Sequence, residues 1–258
     1  MSPHIDLNAF LSGHVFAFML IFTRVAAVMM LFPGIGEPYV PPRTRLMFAF
    51  LISFLLLGPL FPRLPAMPAQ PAEMTRMIAY EMIIGLFFGT MIRLLTSVLE
   101  STGFIVGAQT GLSNATIMNP ALATQSPLSS AFLSTSGMVL IFVTGADHFL
   151  IRSIAALYDA FPAGGDFMPG DMAQTIIHLT NNSFTLGIEL SAPFLIMGLL
   201  MYAALGLMQR LMPSIQLFMV ALPIQIWGGL LMLMLTVAAI LGVWLHYFDD
   251  QIASFLQK

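Results

Sequence analysis

The chain has 258 residues, of which 58% are hydrophobic and only 8% charged; the net charge is −3 and there is no cysteine, and mean hydropathy is +0.91. So little polar surface cannot cover a soluble globule of this size, so an integral membrane protein or part of a membrane-embedded assembly is expected. No basic tract is long enough to follow a nucleic-acid backbone, and the missing thiols exclude disulfides, thiolate catalysis and Cys-ligated metal.

The opening stretch "MSPHIDLNAF" has no basic region ahead of its apolar run and no small-residue cleavage site, so the first hydrophobic segment is expected to stay in the protein. Six apolar segments then follow, at 10–32, 46–61, 77–99, 131–151, 184–208 and 226–248, each a candidate membrane helix. The second, as a helix, reaches about 24 Å, short of the roughly 30 Å hydrocarbon core. The intervening "FPGIGEPYVPPRTR", "GPLFPRLPAMPAQPAE" and "FPAGGDFMPGD" are rich in Pro and Gly, which stop helices and make stiff elbows. One all-α, polytopic membrane domain over 1–258 is the expected fold class. Basic residues do not orient it: alternating segments place Arg43, Arg45 and Arg210 on one side and Arg63, Arg76, Arg152 and Lys258 on the other, a split without the usual cytoplasmic bias.

Arg24, Glu81, Arg93, Asp147 and Glu189 fall inside the apolar segments. A lone charge in lipid is costly, so such residues pair with one another or with neighbouring subunits, snorkel at helix ends, or relay protons. In "YEMIIGLFFGTMIRLL", Glu81, Gly85, Gly89 and Arg93 recur every four residues and share one helix face, charged at both ends and flat between. Glu81 and Arg93 lie about 18 Å apart along the axis, so each needs a partner on another helix. The small-xxx-small face suits close docking of a helix backbone. The 21 methionines read as adaptable core filler.

No catalytic or metal-binding constellation stands out. The five histidines are scattered without ligand spacing, Asp147 and His148 read as a helix-end pair, and no Gly loop is framed to cradle phosphate. The chain therefore reads as no enzyme, with no cofactor and no metal. Between Glu100 and Asp147 there is no charge, yet "GAQTGLSNATIMNPALATQSP" is polar and punctuated by Gly and Pro. Irregular backbone at membrane depth is tolerated where it is buried in protein or lines a watery cavity. An uncharged lining offers hydrogen bonds without holding a passing chain; an ordinary polar turn is the other reading.

The stretches "FTRVAAVMMLFPGIGEPYVPPRTRLMFAF", "YEMIIGLFFGTMIRLL", "GLSNATIMNP" and "APFLIMGLLMYAALGLMQRLMPSIQLFMVALPIQI" together resemble the FliR family of flagellar biosynthesis proteins, which has counterparts in virulence-associated type III secretion. The resemblance spans nearly the whole chain. It implies a subunit of the flagellar type III export gate in the bacterial inner membrane, at the flagellar basal body. FliP-like and FliQ-like subunits would be its partners, FlhB-like and FlhA-like export proteins its neighbours, and unfolded export substrates its traffic, with no nucleic acid. It further implies a FliP-like part over 1–182 and a FliQ-like helical hairpin over 183–258, turned at "QRLMPSIQ". By the same resemblance the segment near 106–122 is a pore loop that plugs the channel, carried here by Gly107, Gly111, Leu112, Ser113, Asn114, Ala115, Thr116, Ile117, Met118, Asn119 and Pro120. Positions 114, 117 and 118, often aromatic in the family, are Asn, Ile and Met here, so an aromatic seal is not available at them. Arg24, Glu81, Gly85, Gly89, Arg93 and Glu189 are the expected helix-packing or subunit contacts. An injectisome homologue is the alternative. A stand-alone secondary transporter using Arg24, Glu81 and Glu189 is another, although the paired broken helices it calls for are not evident.

Overall fold

A computed structural model describes residues 7–113, 127–165, 169–211 and 217–256, and among these every regular element is a helix. The elements are α1 (Leu7–Leu31), α2 (Pro42–Leu60) with a short 3₁₀ turn at Phe61–Arg63, α3 (Pro71–Gln109), α4 (Leu128–Thr144), α5 (Ala146–Ala160), α6 (Pro169–Leu211) and α7 (Leu217–Leu256). The all-α, polytopic expectation holds. Among the described residues five helices are long and apolar enough to cross a membrane, and α4 with α5 makes a sixth candidate bent by 77°.

Local chemistry explains where the boundaries depart from hydropathy. The second segment is longer than its apolar run: α2 starts at Pro42, a residue suited to the first helical turn because its missing N–H has no partner there anyway. With the turn that follows it forms a 22-residue span, Pro42–Arg63, and the expected shortfall disappears. The third extends at both ends to 39 residues. Polar residues such as Thr102 lower its hydropathy without breaking the helix, because that hydroxyl bonds back to the Val98 carbonyl at 2.8 Å. The stretch 131–151, read as one span, is broken at Gly145. There φ is +77°, a left-handed conformation that favours glycine, and Asp147 and His148 follow in the first turn of α5, joined at 3.0 Å.

Two compact units form. The first comprises residues 1–93, 145–177 and 252–258; the second comprises 94–144 and 178–251. In the first, Leu20, Ile21, Val25 and Val28 of α1 and Ile84 and Ile92 of α3 are all buried, and the two helices meet at Gly85, where a β-carbon would lie 2.7 Å from Ala27 Cβ. Phe87, Phe88 and Phe161 surround the Phe255 ring at centroid distances of 5.9, 6.1 and 6.2 Å. The exposed side of α2 is apolar, with Phe54 and Leu55 standing out, and the helix meets α1 through Phe18 and Phe50, whose rings lie edge-to-face at 5.1 Å. In the second unit the largest fully buried side chain is Trp244. Its indole N–H donates to the Leu95 carbonyl at 2.9 Å, and Gly137 leaves room for its ring: a β-carbon there would lie 3.2 Å from it.

Candidate functional site

Two polar sites stand out, one in each unit. The first grows from the flat stripe of α3. Glu81 and Arg24 of α1 are both fully buried and form a two-pronged pair, Nε to Oε2 at 2.6 Å and Nη2 to Oε1 at 3.1 Å. Nη2 also donates to the Phe161 carbonyl at 2.9 Å, the Tyr158 hydroxyl donates to Glu81 Oε2 at 3.3 Å, and the guanidinium lies 3.7 Å from the centre of the Tyr158 ring. Charge, hydrogen bonds and ring face thus compensate two groups that would otherwise be very costly to bury. Of the polar atoms in this cluster, Arg24 Nη1 is left without a hydrogen-bond partner among the described residues.

One turn beyond Glu81, a β-carbon on Gly85 would collide with the Arg24 carbonyl and come within 2.7 Å of Ala27 Cβ; at Gly89 it would sit 3.0 Å from Leu31 Cβ. The flat centre of the stripe is therefore occupied by α1 of the same chain, and the approach it permits brings Arg24 to Glu81. Arg93, at the far end, meets Glu37 at 2.6 Å. That partner lies in the elbow between α1 and α2, whereas a partner on another helix was expected. Arg45 ties the same elbow by donating to the Glu37 carbonyl. The phenol of Tyr39 beside it is pushed above its ordinary range by partial burial and by the Glu37 charge. Arg63 and Asp159 pair at 2.6 Å on the surface.

The second site is the base of the uncharged segment. Past Gln109 the chain turns through Gly111, where φ is +75°, and the Ser113 N–H donates to the Gly107 carbonyl at 3.1 Å. A β-carbon on Gly107 would lie 2.5 Å from Ser129 Oγ, 2.9 Å from Ser113 Oγ and 3.2 Å from Pro127 Cβ, so both ends of the segment converge on this one glycine. Ser129 and Ser130 lash the start of α4 to the Gly103 and Glu100 carbonyls of α3 at 2.7 and 2.9 Å. Two further helices grip the end of α3. Gly198 of α6 faces the Gln109 side chain, Gly229 of α7 faces Thr110, and the Gln225 amide donates to the Gln109 carbonyl at 2.7 Å. Gly107, Gly111, Leu112 and Ser113 belong to this base. Asn114, Ala115, Thr116, Ile117, Met118, Asn119 and Pro120 lie outside the described residues, as do residues 212–216 of the expected hairpin turn.

Among the described residues no cluster of His, Asp and Glu could hold a metal ion. Glu189 is exposed on α6 and joins neither site. Tyr158, the Phe161 carbonyl, Gln225 and Trp244 were not foreseen from the sequence. A buried arginine needing more acceptors than one carboxylate supplies was the available hint for the first two.

The family described as bacterial export proteins, family 1, matches residues 15–251. The chain belongs to this family. Its relatives include the flagellar biosynthetic protein FliR of Caulobacter vibrioides, 34% identical over 96% of this chain and 100% of the relative. The protein of the same name from Aquifex aeolicus is 26% identical over 90% of this chain and 89% of the relative. Yop proteins translocation protein T of Yersinia pestis is 30% identical over 58% of each. The chain is thus a multi-pass membrane protein of a bacterial export family, and its relatives are named as biosynthetic or translocation components.

Proposed function

We propose that this chain is the FliR-type subunit of a flagellar type III export gate in the bacterial inner membrane, at the flagellar basal body. It assembles with FliP-like and FliQ-like subunits, next to FlhB-like and FlhA-like proteins, into the channel through which unfolded flagellar subunits leave the cell. Its role is structural and non-enzymatic. Residues 1–182 act as the FliP-like part and 183–258 as the FliQ-like hairpin. The observation that carries the reading is similarity to a flagellar relative along that relative's whole length, against 58% coverage of the translocation protein from Yersinia; this favours the flagellum over an injectisome. The residues fit such a role. Charges in the α1–α3 core are paired inside the chain, as a scaffold requires, while the 46 positions between Glu100 and Asp147 carry none and so offer a passing polypeptide no ionic trap.

In this reading Gly107 to Pro120 plug the channel, and Leu112, Ile117 and Met118 provide the dry seal in place of aromatic rings. The test is ion leakage into non-secreting cells, together with secretion of a hook-type substrate, in a motility-competent host lacking its own copy. Met118→Asp is expected to leak, because a charge cannot pack dry without a cost of several kcal/mol, whereas Ser113→Ala is expected to seal normally. Normal leakage and secretion in Met118→Asp would remove the plug from the account.

A further inference from the structure

On the second unit's stretch of α6, His178, Asn181, Asn182, Thr185 and Glu189 are all exposed. Spaced three and four residues apart, they fall within an arc of about 100° and run about 17 Å along the helix. Beside them Phe184 and Ile188 are exposed too, at 61% and 39%. Glu189 is the sole charge between Leu186 and Met208, and among the described residues nothing hydrogen-bonds or ion-pairs with it.

Neither solvent suits this surface. Lipid cannot satisfy two asparagines and a carboxylate, while bulk water does not favour a phenylalanine left open beside an isoleucine. An apolar rail flanked by hydrogen-bonding groups and one unpaired charge matches a partner helix that is apolar along its seam and polar at its margin. We propose that this stripe docks a membrane helix of another gate subunit carrying a lysine or arginine opposite Glu189. The charge decides the partner's chemistry: a carboxylate that leaves water at a helix–helix contact needs a cation or it is expelled. The inference rests on the export-gate reading and adds to it the surface used and the complementary group.

Photo-crosslinking tests it, with p-benzoylphenylalanine in place of Asn182 or Thr185 in the tagged full-length chain expressed among its partners. The expected product is an adduct with a second gate subunit at both positions. Charge provides the second measurement. Glu189→Lys is expected to lower recovery of that subunit by roughly thirtyfold or more, and Glu189→Gln by a smaller factor. A complex that assembles without an adduct, an adduct with exported substrate alone, or full recovery with Glu189→Lys would overturn the inference while leaving the gate reading standing. Failure of the unsubstituted chain to recover any gate subunit would overturn both.

Discussion

Glu81 and Glu189 are carboxylates on long apolar helices, and the chain treats them in opposite ways. α3 has 56% of its most apolar window buried within the chain and α6 has 17%. Glu81 is enclosed by Arg24 and Tyr158, whereas Glu189 is exposed and has no hydrogen-bond or ion-pair partner among the described residues. A membrane helix can satisfy a charge inside its own subunit or leave it for a neighbour, and hydropathy alone does not distinguish the two. What distinguishes them is whether a second helix of the same chain can come close enough. Gly85 and Gly89 allow this on α3. On α6 the corresponding small residues, Gly187 and Gly198, face the Ser101 and Gln109 side chains of α3, away from the polar stripe.

The comparison breaks most readily at the enclosed carboxylate. Glu81→Ala leaves Arg24 buried without its counter-ion and should destabilise the chain by about 3–5 kcal/mol, read as loss of folded protein in detergent; replacing both by apolar residues of similar volume, Arg24→Met with Glu81→Leu, should recover most of it. Gly85→Leu drives a side chain into the Arg24 backbone and should cost about 3 kcal/mol. Because that collision is inside the chain, the thermal midpoint of the isolated subunit should fall with this variant, as well as its recovery with partners. Trp244→Phe removes the indole N–H that adds a second hydrogen bond to the Leu95 carbonyl and leaves a void in a fully buried site, an expected loss of about 1–3 kcal/mol by chemical denaturation. At the exposed end of the scale, Arg63→Ala removes a surface pair and should change stability by less than about 1 kcal/mol. Glu189→Gln should likewise change the isolated chain's stability by less than about 0.5 kcal/mol; a large drop would mean that Glu189 is satisfied within the chain after all.

Much of this arrangement could be read from the residues. Apolar runs located every spanning helix, and the four-residue spacing of Glu81, Gly85, Gly89 and Arg93 marked the face on which a helix docks. The spacing could not name the docked element, since the same face serves a neighbour in the chain or in another subunit. The bend at Gly145 was hidden because apolar residues continue on both sides of it, and a left-handed glycine does not alter hydropathy. The true length of α3 was hidden for the converse reason: Glu100, Ser101 and Thr102 interrupt the apolar run but not the helix. Gln225 and Trp244 act through carbonyls of α3 more than a hundred positions away, a pairing that only the folded chain discloses.

We propose above all that this chain is one subunit of a multi-subunit export gate. Affinity purification of the tagged, full-length chain from membranes of a flagellated host, followed by native mass spectrometry, tests it most directly. The expected result is a complex containing this chain with FliP-like and FliQ-like subunits. Recovery of the chain alone, from cells in which those subunits are present and folded, would contradict it.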